Sequence, residues 1–213
     1  MQIGIIGSGN VGKTLARGFV ANGHTVTLGT RNPDNAELRD WAAAQHVALS
    51  TLADAARVNE VIVLATPWAN GATENAVRLA APEHFAGKVV VDTVNPLVFE
   101  NGQLQLALDG KTSGSEMVQS WLPKARVVKA FNTIGAEIMI HPQRSEGTPD
   151  LFVAGNDADA KKIVGDLARE FGWNVIDAGD LTRARLLEAF ALLWIDYARV
   201  HRSRVHAFKL LKQ

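Results

Sequence analysis

The chain has 213 residues, 47% of them hydrophobic, and 22 basic against 22 acidic side chains, so its formal net charge is zero. That balance argues against a general nucleic-acid or membrane-surface binder, and the length suits one sizeable α/β domain with at most a small appendage. There is no cysteine, which removes disulfides, thiolate metal sites and cysteine nucleophiles.

The first predicted element is a short β-rich apolar run, Ile3 to Ile6, that opens directly into Gly7-Ser8-Gly9-Asn10-Val11-Gly12. Val11, Leu15 and Phe19 then recur at helical spacing. A Gly-x-Gly-x-x-Gly turn set between strand and helix is the dinucleotide fingerprint in the context it requires. Gly7 permits the tight turn, Gly9 removes the β-carbon that would block a pyrophosphate, and Gly12 lets the helix lie close to the sheet. The helix N-terminus offers N–H groups and partial positive charge to the phosphates.

Asn22-Gly23 ends that helix, and His24 to Leu28 alternates as the second strand. An acid at the end of this strand would bind the ribose hydroxyls of NAD, but the residues are Gly29-Thr30-Arg31-Asn32. The Arg31 guanidinium and the Thr30 and Asn32 side chains can instead donate to a 2′-phosphate, which predicts NADP over NAD. The plainer reading of Arg31 is a solvated loop residue.

Asn32-Pro33 is read as an N-cap with proline at the first helical position, followed by a helix that turns Leu38, Trp41 and Ala42 to the sheet. Val47 to Leu49 is a short strand, Thr51 to Arg57 a short helix, and Glu60 to Thr66 an almost wholly apolar strand of the kind covered on both faces. It ends in Thr66-Pro67-Trp68, a loop expected to border the adenosine or nicotinamide riboside. Trp68 is expected to pack on the following helix, against Ala72, Ala76 and Leu79.

Lys88 to Asp92 is the fifth strand, with Asp92 expected to hydrogen-bond nearby backbone. Residues 97–112 show no clear periodicity and are read as a long mobile or substrate-wall connection. Ser115 to Leu122 is a helix, and Arg126 to Ala130 a sixth strand that runs into Phe131-Asn132-Thr133-Ile134-Gly135-Ala136 at the ligand edge of the sheet. His141 has no partner visible in the sequence and is read as a surface histidine. Leu151 to Ala154, Ala158 to Phe171 and Trp173 to Ile176 add a strand, a helix and a strand, bringing the sheet to eight strands.

From Arg183 onward there are seven Lys or Arg and two Asp or Glu. Leu186, Leu187, Phe190, Leu192, Leu193, Trp194 and Ile195 spread around much of a helix, which predicts burial against both the chain's own sheet and a second copy, hence a homodimer. Arg199, Arg202, Arg204, Lys209 and Lys212 are either a solvated face or an anion-binding one. The expected fold is a Rossmann-type, doubly wound, mostly parallel α/β sheet with a C-terminal helical extension. Residues 1–150 would form the nucleotide-binding part and 151–213 an extension completing the acceptor site without folding independently. The opening strand leaves no room for a charged leader, and Ala189 to Ile195 is too short to span a bilayer, so a soluble cytoplasmic protein with no nucleic-acid or membrane partner is expected.

Several stretches together resemble the coenzyme F420-dependent NADP oxidoreductase family, which includes the soluble reductase domains of metalloreductases. They are Gly7 to Gly12, Gly29 to Pro33, Thr66 to Trp68, Val91 to Pro96, Val127 to Ile134 and Asp177 to Glu188, in the family's order over nearly the whole chain. The resemblance implies NADP(H) with its pyrophosphate along Ser8 to Val11 and its 2′-phosphate at Thr30 and Arg31. It also implies nicotinamide carboxamide contacts near Ala136, and a flat acceptor such as F420, FMN or FAD stacked on the nicotinamide. Several relatives have a proline within the stretch corresponding to Phe190 to Leu192, and this chain does not.

Hydride transfer between two such cofactors needs neither a protein nucleophile nor a metal, in keeping with the lack of an evident catalytic acid or base. Two other readings share the fingerprint. One is an imine or keto reductase resembling pyrroline-carboxylate reductase, which would add a larger helical domain; the other is a non-catalytic NADP(H)-binding redox sensor.

Overall fold

The computed structural model describes residues 1–211; Lys212, the last basic position named above, lies outside them. Strands β1 (Gln2–Ile6), β2 (Thr25–Thr30), β3 (Ala48–Thr51), β4 (Val61–Leu64) and β5 (Val89–Asp92) alternate with helices α1 (Asn10–Ala21), α2 (Ala36–Ala44), α3 (Leu52–Val58) and α4 (Ala72–Leu79). A hairpin, β6 (Leu97–Glu100) and β7 (Gln103–Leu106), precedes α5 (Gly114–Trp121) and β8 (Arg126–Lys129). The chain closes with β9 (Asp150–Gly155), α6 (Ala158–Glu170), β10 (Asn174–Gly179) and α7 (Ala184–His201). The main sheet has the order β10-β9-β8-β5-β4-β1-β2-β3, so it runs unbroken through residue 150.

The central strands are buried on both faces because successive side chains point to opposite sides. Ile3, Ile5, Val61, Val63, Val89 and Val91 join Leu15 and Phe19 of α1 in one apolar layer. Ile6, Ile62, Leu64 and Val90 join Leu52 of α3, Val77 of α4 and Val118 of α5 in the other. The chain turns outward in opposite directions from β1 and β4, which leaves a crevice at their carboxyl ends. This is where an open α/β sheet binds ligands.

Two expectations need correction. Asn32 does not cap α2: Asn35 does, its Oδ1 accepting from Leu38 N at 2.8 Å, while Asn32 Oδ1 accepts from Asp34 N to form a turn before the helix. Residues 97–106 are not irregular but form an antiparallel hairpin about Asn101 and Gly102, both at positive φ (51° and 77°). The sheet is mostly parallel, as expected: β9 runs antiparallel to β8, and every other pair in the main sheet is parallel. No helix lies between β8 and β9, so the chain has no crossover with which to return in the same direction.

Helix α7 buries Leu187, Ala191, Trp194 and Ala198 on one side and exposes Leu186, Leu193, Tyr197 and Val200 along another. After it, a segment without regular structure folds back over the 137–150 connection. Asp150 N donates to Phe208 O at 2.9 Å, Arg144 Nε to Val205 O at 3.3 Å and Lys209 Nζ to Thr148 O at 2.6 Å. Trp194 stacks on His206, and its Nε1 donates to His206 O at 3.0 Å. No helix among the described residues is long and apolar enough to cross a membrane.

Candidate functional site

The turn from β1 into α1 combines tight packing with open space. A β-carbon on Gly7 (φ 120°) would lie 2.3 Å from Ala65 O, and one on Gly12 would lie 2.0 Å from Gly7 O, so both glycines allow backbone to approach backbone. A β-carbon on Gly9 would meet nothing within 4 Å. Gly9 is also the N-cap of α1, which has no side-chain cap and no acid in its first turn. Its leading N–H groups and dipole therefore face a space no protein atom fills, an arrangement suited to a phosphate-bearing ligand.

That space is one end of a cleft of ≈ 230 Å³ lined by Gly7, Ser8, Gly9, Gly29, Thr30, Arg31, Thr66 and Pro67, with Leu52, Asn75 and Ala76 beyond. Thr30 is buried, and its Oγ1 accepts from Asn32 N at 3.3 Å, which closes the turn after β2. Arg31 is exposed and takes part in none of the ion pairs among the described residues. Across the cleft, Thr66 Oγ1 donates to Thr73 Oγ1 at 3.0 Å and Thr73 Oγ1 to Pro67 O at 3.0 Å, tying the loop after β4 to α4. Trp68 is not among the residues lining the cleft and stacks on Trp121 of α5.

The remaining predicted residues are spread around this cleft. Asn10 and Ala136 line a neighbouring groove on the α1 side. Val11 is half-buried in the apolar layer beneath α1. Asn32 is exposed beside Arg31, with its Oδ1 engaged by Asp34 N. Asn132 is buried, and its Nδ2 donates to Asn95 Oδ1 at 3.0 Å and Leu187 O at 2.9 Å, linking the ends of β5 and β8 to α7. The residue before it, Phe131, holds a left-handed backbone (φ 59°) that is costly for a bulky side chain. His141 is exposed, as expected.

The sequence reading missed a sealed charge cluster beneath the β5 and β8 ends. Lys129 Nζ lies 2.9 Å from Asp92 Oδ2 and 2.9 Å from Glu188 Oε1, and it also donates to Val94 O, so all three of its protons are used. Asp92 accepts further from Val94 N at 2.9 Å and Ser115 Oγ at 2.6 Å. Glu188 accepts from Gly114 N at 3.0 Å and Ser115 N at 3.3 Å, at the start of α5. Burial pushes the Glu188 carboxyl above its usual range, and Asp92 adds to this against the pull of Lys129. Burial alone would lower the Lys129 ammonium, but its two carboxylate neighbours leave it raised. The signal was present in a lysine inside the apolar run Val127-Val128-Lys129-Ala130 and a glutamate amid Leu186-Leu187-Glu188-Ala189-Phe190.

Comparison with known proteins accords with this architecture. A family model described as NADP oxidoreductase, coenzyme F420-dependent, matches residues 2–96. The F420-dependent NADP reductase of Methanocaldococcus jannaschii is 30% identical, with 96% of this chain aligned to 95% of that protein. The metalloreductase STEAP3 of Rattus norvegicus is 32% identical over 90% of this chain, which spans only 36% of that longer protein. The crystal structure of a proposed F420-dependent NADP-reductase from Arthrobacter sp. FB24 covers both chains fully, at 37% identity and a TM-score of 0.93. An imine reductase from Myxococcus stipitatus, at 16% identity and a TM-score of 0.68, shares the fold alone. With the near-complete alignment to the reductase of M. jannaschii, the chain belongs to the coenzyme F420-dependent NADP oxidoreductase family.

Proposed function

We propose that the chain binds NADP(H) across the cleft between β1 and β4 and mediates hydride transfer between it and a flavin or deazaflavin ring. The observation that carries this is the open space at Gly9, placed before an uncapped helix start and continuous with a cleft that Arg31 flanks. Ser8 to Val11 would present backbone N–H groups to the pyrophosphate, and Arg31 with Thr30 would take the 2′-phosphate. Thr66, Pro67 and Ala136 would border the nicotinamide half, while buried Asn132 holds the adjoining loops in register.

When bound, NADPH supplies the hydride. The chain's contribution is to orient the two rings at contact distance and keep water away. Lys129, Asp92 and Glu188 are sealed beneath the loops and serve to fix their positions.

Stopped-flow mixing of NADPH-loaded protein with F420, FMN, FAD and ferric chelates tests the proposal. Rapid oxidation by at least one ring acceptor, faster than by the chelates, is expected. Nucleotide binding without transfer to any of them would replace the reductase with a sensor. We further propose that the exposed Leu186, Leu193, Tyr197 and Val200 stripe of α7 packs against a second copy. Light scattering should give a dimer mass, and a monomer at micromolar concentration would overturn this.

A further inference from the structure

Beside the nucleotide cleft, on the opposite flank of the α1 N-terminus, lies a second and wider concavity of ≈ 650 Å³. Its walls include Asn10, Lys13 and Arg17 of α1, Trp41 of α2, and Ala136 and His141 of the connection after β8. Lys13 and Arg17 are one turn apart on one helix face, where like charges repel. No ion pair among the described residues includes Lys13, Arg17 or His141. Among the described residues the one acid lining the groove, Glu137, lies instead 3.7 Å from Arg204. The Lys13 ammonium sits 5.2 Å from the centre of the half-buried Trp41 ring, so cationic and flat apolar surfaces meet in one groove.

Among the described residues neither cation has a carboxylate partner, and Lys13 has only the Trp41 ring to offset its charge. A ligand with negative charge would supply that partner. Because Asn10 and Ala136 also line this groove, it begins at the nicotinamide end of the proposed nucleotide site. We infer that the groove binds the anionic side arm of the redox acceptor, so that the chain selects a flat ring bearing a phosphate or carboxylate arm over the same ring with a neutral one. This rests on the reductase reading for what the ligand is, but its test does not require turnover.

The test is equilibrium binding of FMN and riboflavin, which share a ring and differ in the phosphate, to protein saturated with NADP⁺, followed by flavin fluorescence. In 20 mM salt FMN should bind about tenfold more tightly than riboflavin, a difference of about 1.4 kcal/mol. The ratio should fall toward one in 0.5 M salt and in Lys13→Ala/Arg17→Ala. Arg17→Glu, further from the helix start, should invert the ratio and serves if the double variant does not fold. A ratio near one in the wild type, a ratio unchanged in a folded variant, or failure of both flavins to bind overturns the assignment. A charge-dependent ratio with no NADPH oxidation would leave the groove standing and remove the reductase reading.

Discussion

Two turns at the same edge of the sheet solve opposite problems. Where β1 becomes α1, the chain leaves its helix start uncapped, free of acids, and open above Gly9. Some strands away, where β5 and β8 end, every proton of the Lys129 ammonium has an acceptor and both facing carboxylates are held by backbone and hydroxyl donors. Unmet polar capacity at an edge marks a place built for something else to complete. Fully met capacity marks a place that must not move.

The contrast is broken most severely at the sealed end. Lys129→Met leaves two buried carboxylates without their cation and is expected to cost about 3–5 kcal/mol, read as a drop in the urea midpoint. A loss under 1 kcal/mol would mean that the cluster is not a structural clamp.

At the open end the three glycines separate fold from binding. Gly12→Ala forces a β-carbon against the Gly7 carbonyl and should lower stability by about 1–3 kcal/mol. Gly9→Val places its β-carbon where no atom lies within 4 Å and, as a poorer N-cap than glycine, should cost no more than about 1 kcal/mol of stability. Its NADPH affinity, measured by calorimetry, should nevertheless fall by about 100-fold or more, equivalent to about 2.7 kcal/mol. Native affinity in folded Gly9→Val would remove the pyrophosphate from this turn. Arg31→Ala should weaken NADPH about tenfold and NADH hardly at all. Equal losses would show that the guanidinium does not meet a 2′-phosphate.

The smallest effect concerns pH. Because the folded Glu188 carboxyl titrates above its unfolded value, its contribution to stability is full below the unfolded value and is lost as pH rises through the folded one. Lys129, also raised, contributes in the same sense at higher pH. The stability of Glu188→Gln relative to wild type should therefore improve from pH 4 to pH 8 in parallel urea titrations. A constant gap would mean that the carboxyl is not perturbed.

The open end was legible in the sequence because its chemistry is local: a strand, three glycines at fixed spacing and a helix follow one another within a dozen residues. The sealed end was not, because Asp92, Lys129 and Glu188 come from three distant segments and meet only once the sheet is assembled. The hairpin did carry a local cue, Asn101-Gly102 between alternating residues, but its side chains are mostly half-exposed and the apolar contrast is weak. Strand direction at β9 depended on an absence, the missing helix in residues 131–149. Helix α7 was read as apolar on several sides, and its buried and uncovered stripes became distinct only in the fold.

The returning C-terminal segment is fastened largely through main-chain oxygens, those of Thr148, Val205, His206 and Phe208. Such a fastening specifies a route more than an alphabet: away from His206, Phe208 and Lys209, whose Nζ makes the bond to Thr148 O, many side chains could be exchanged without undoing it. Proline is the exception wherever an amide must donate, as at Leu210, whose N–H reaches Asp150 Oδ2. Engineering that recodes this strip while sparing its amides should keep the adjoining strand seated.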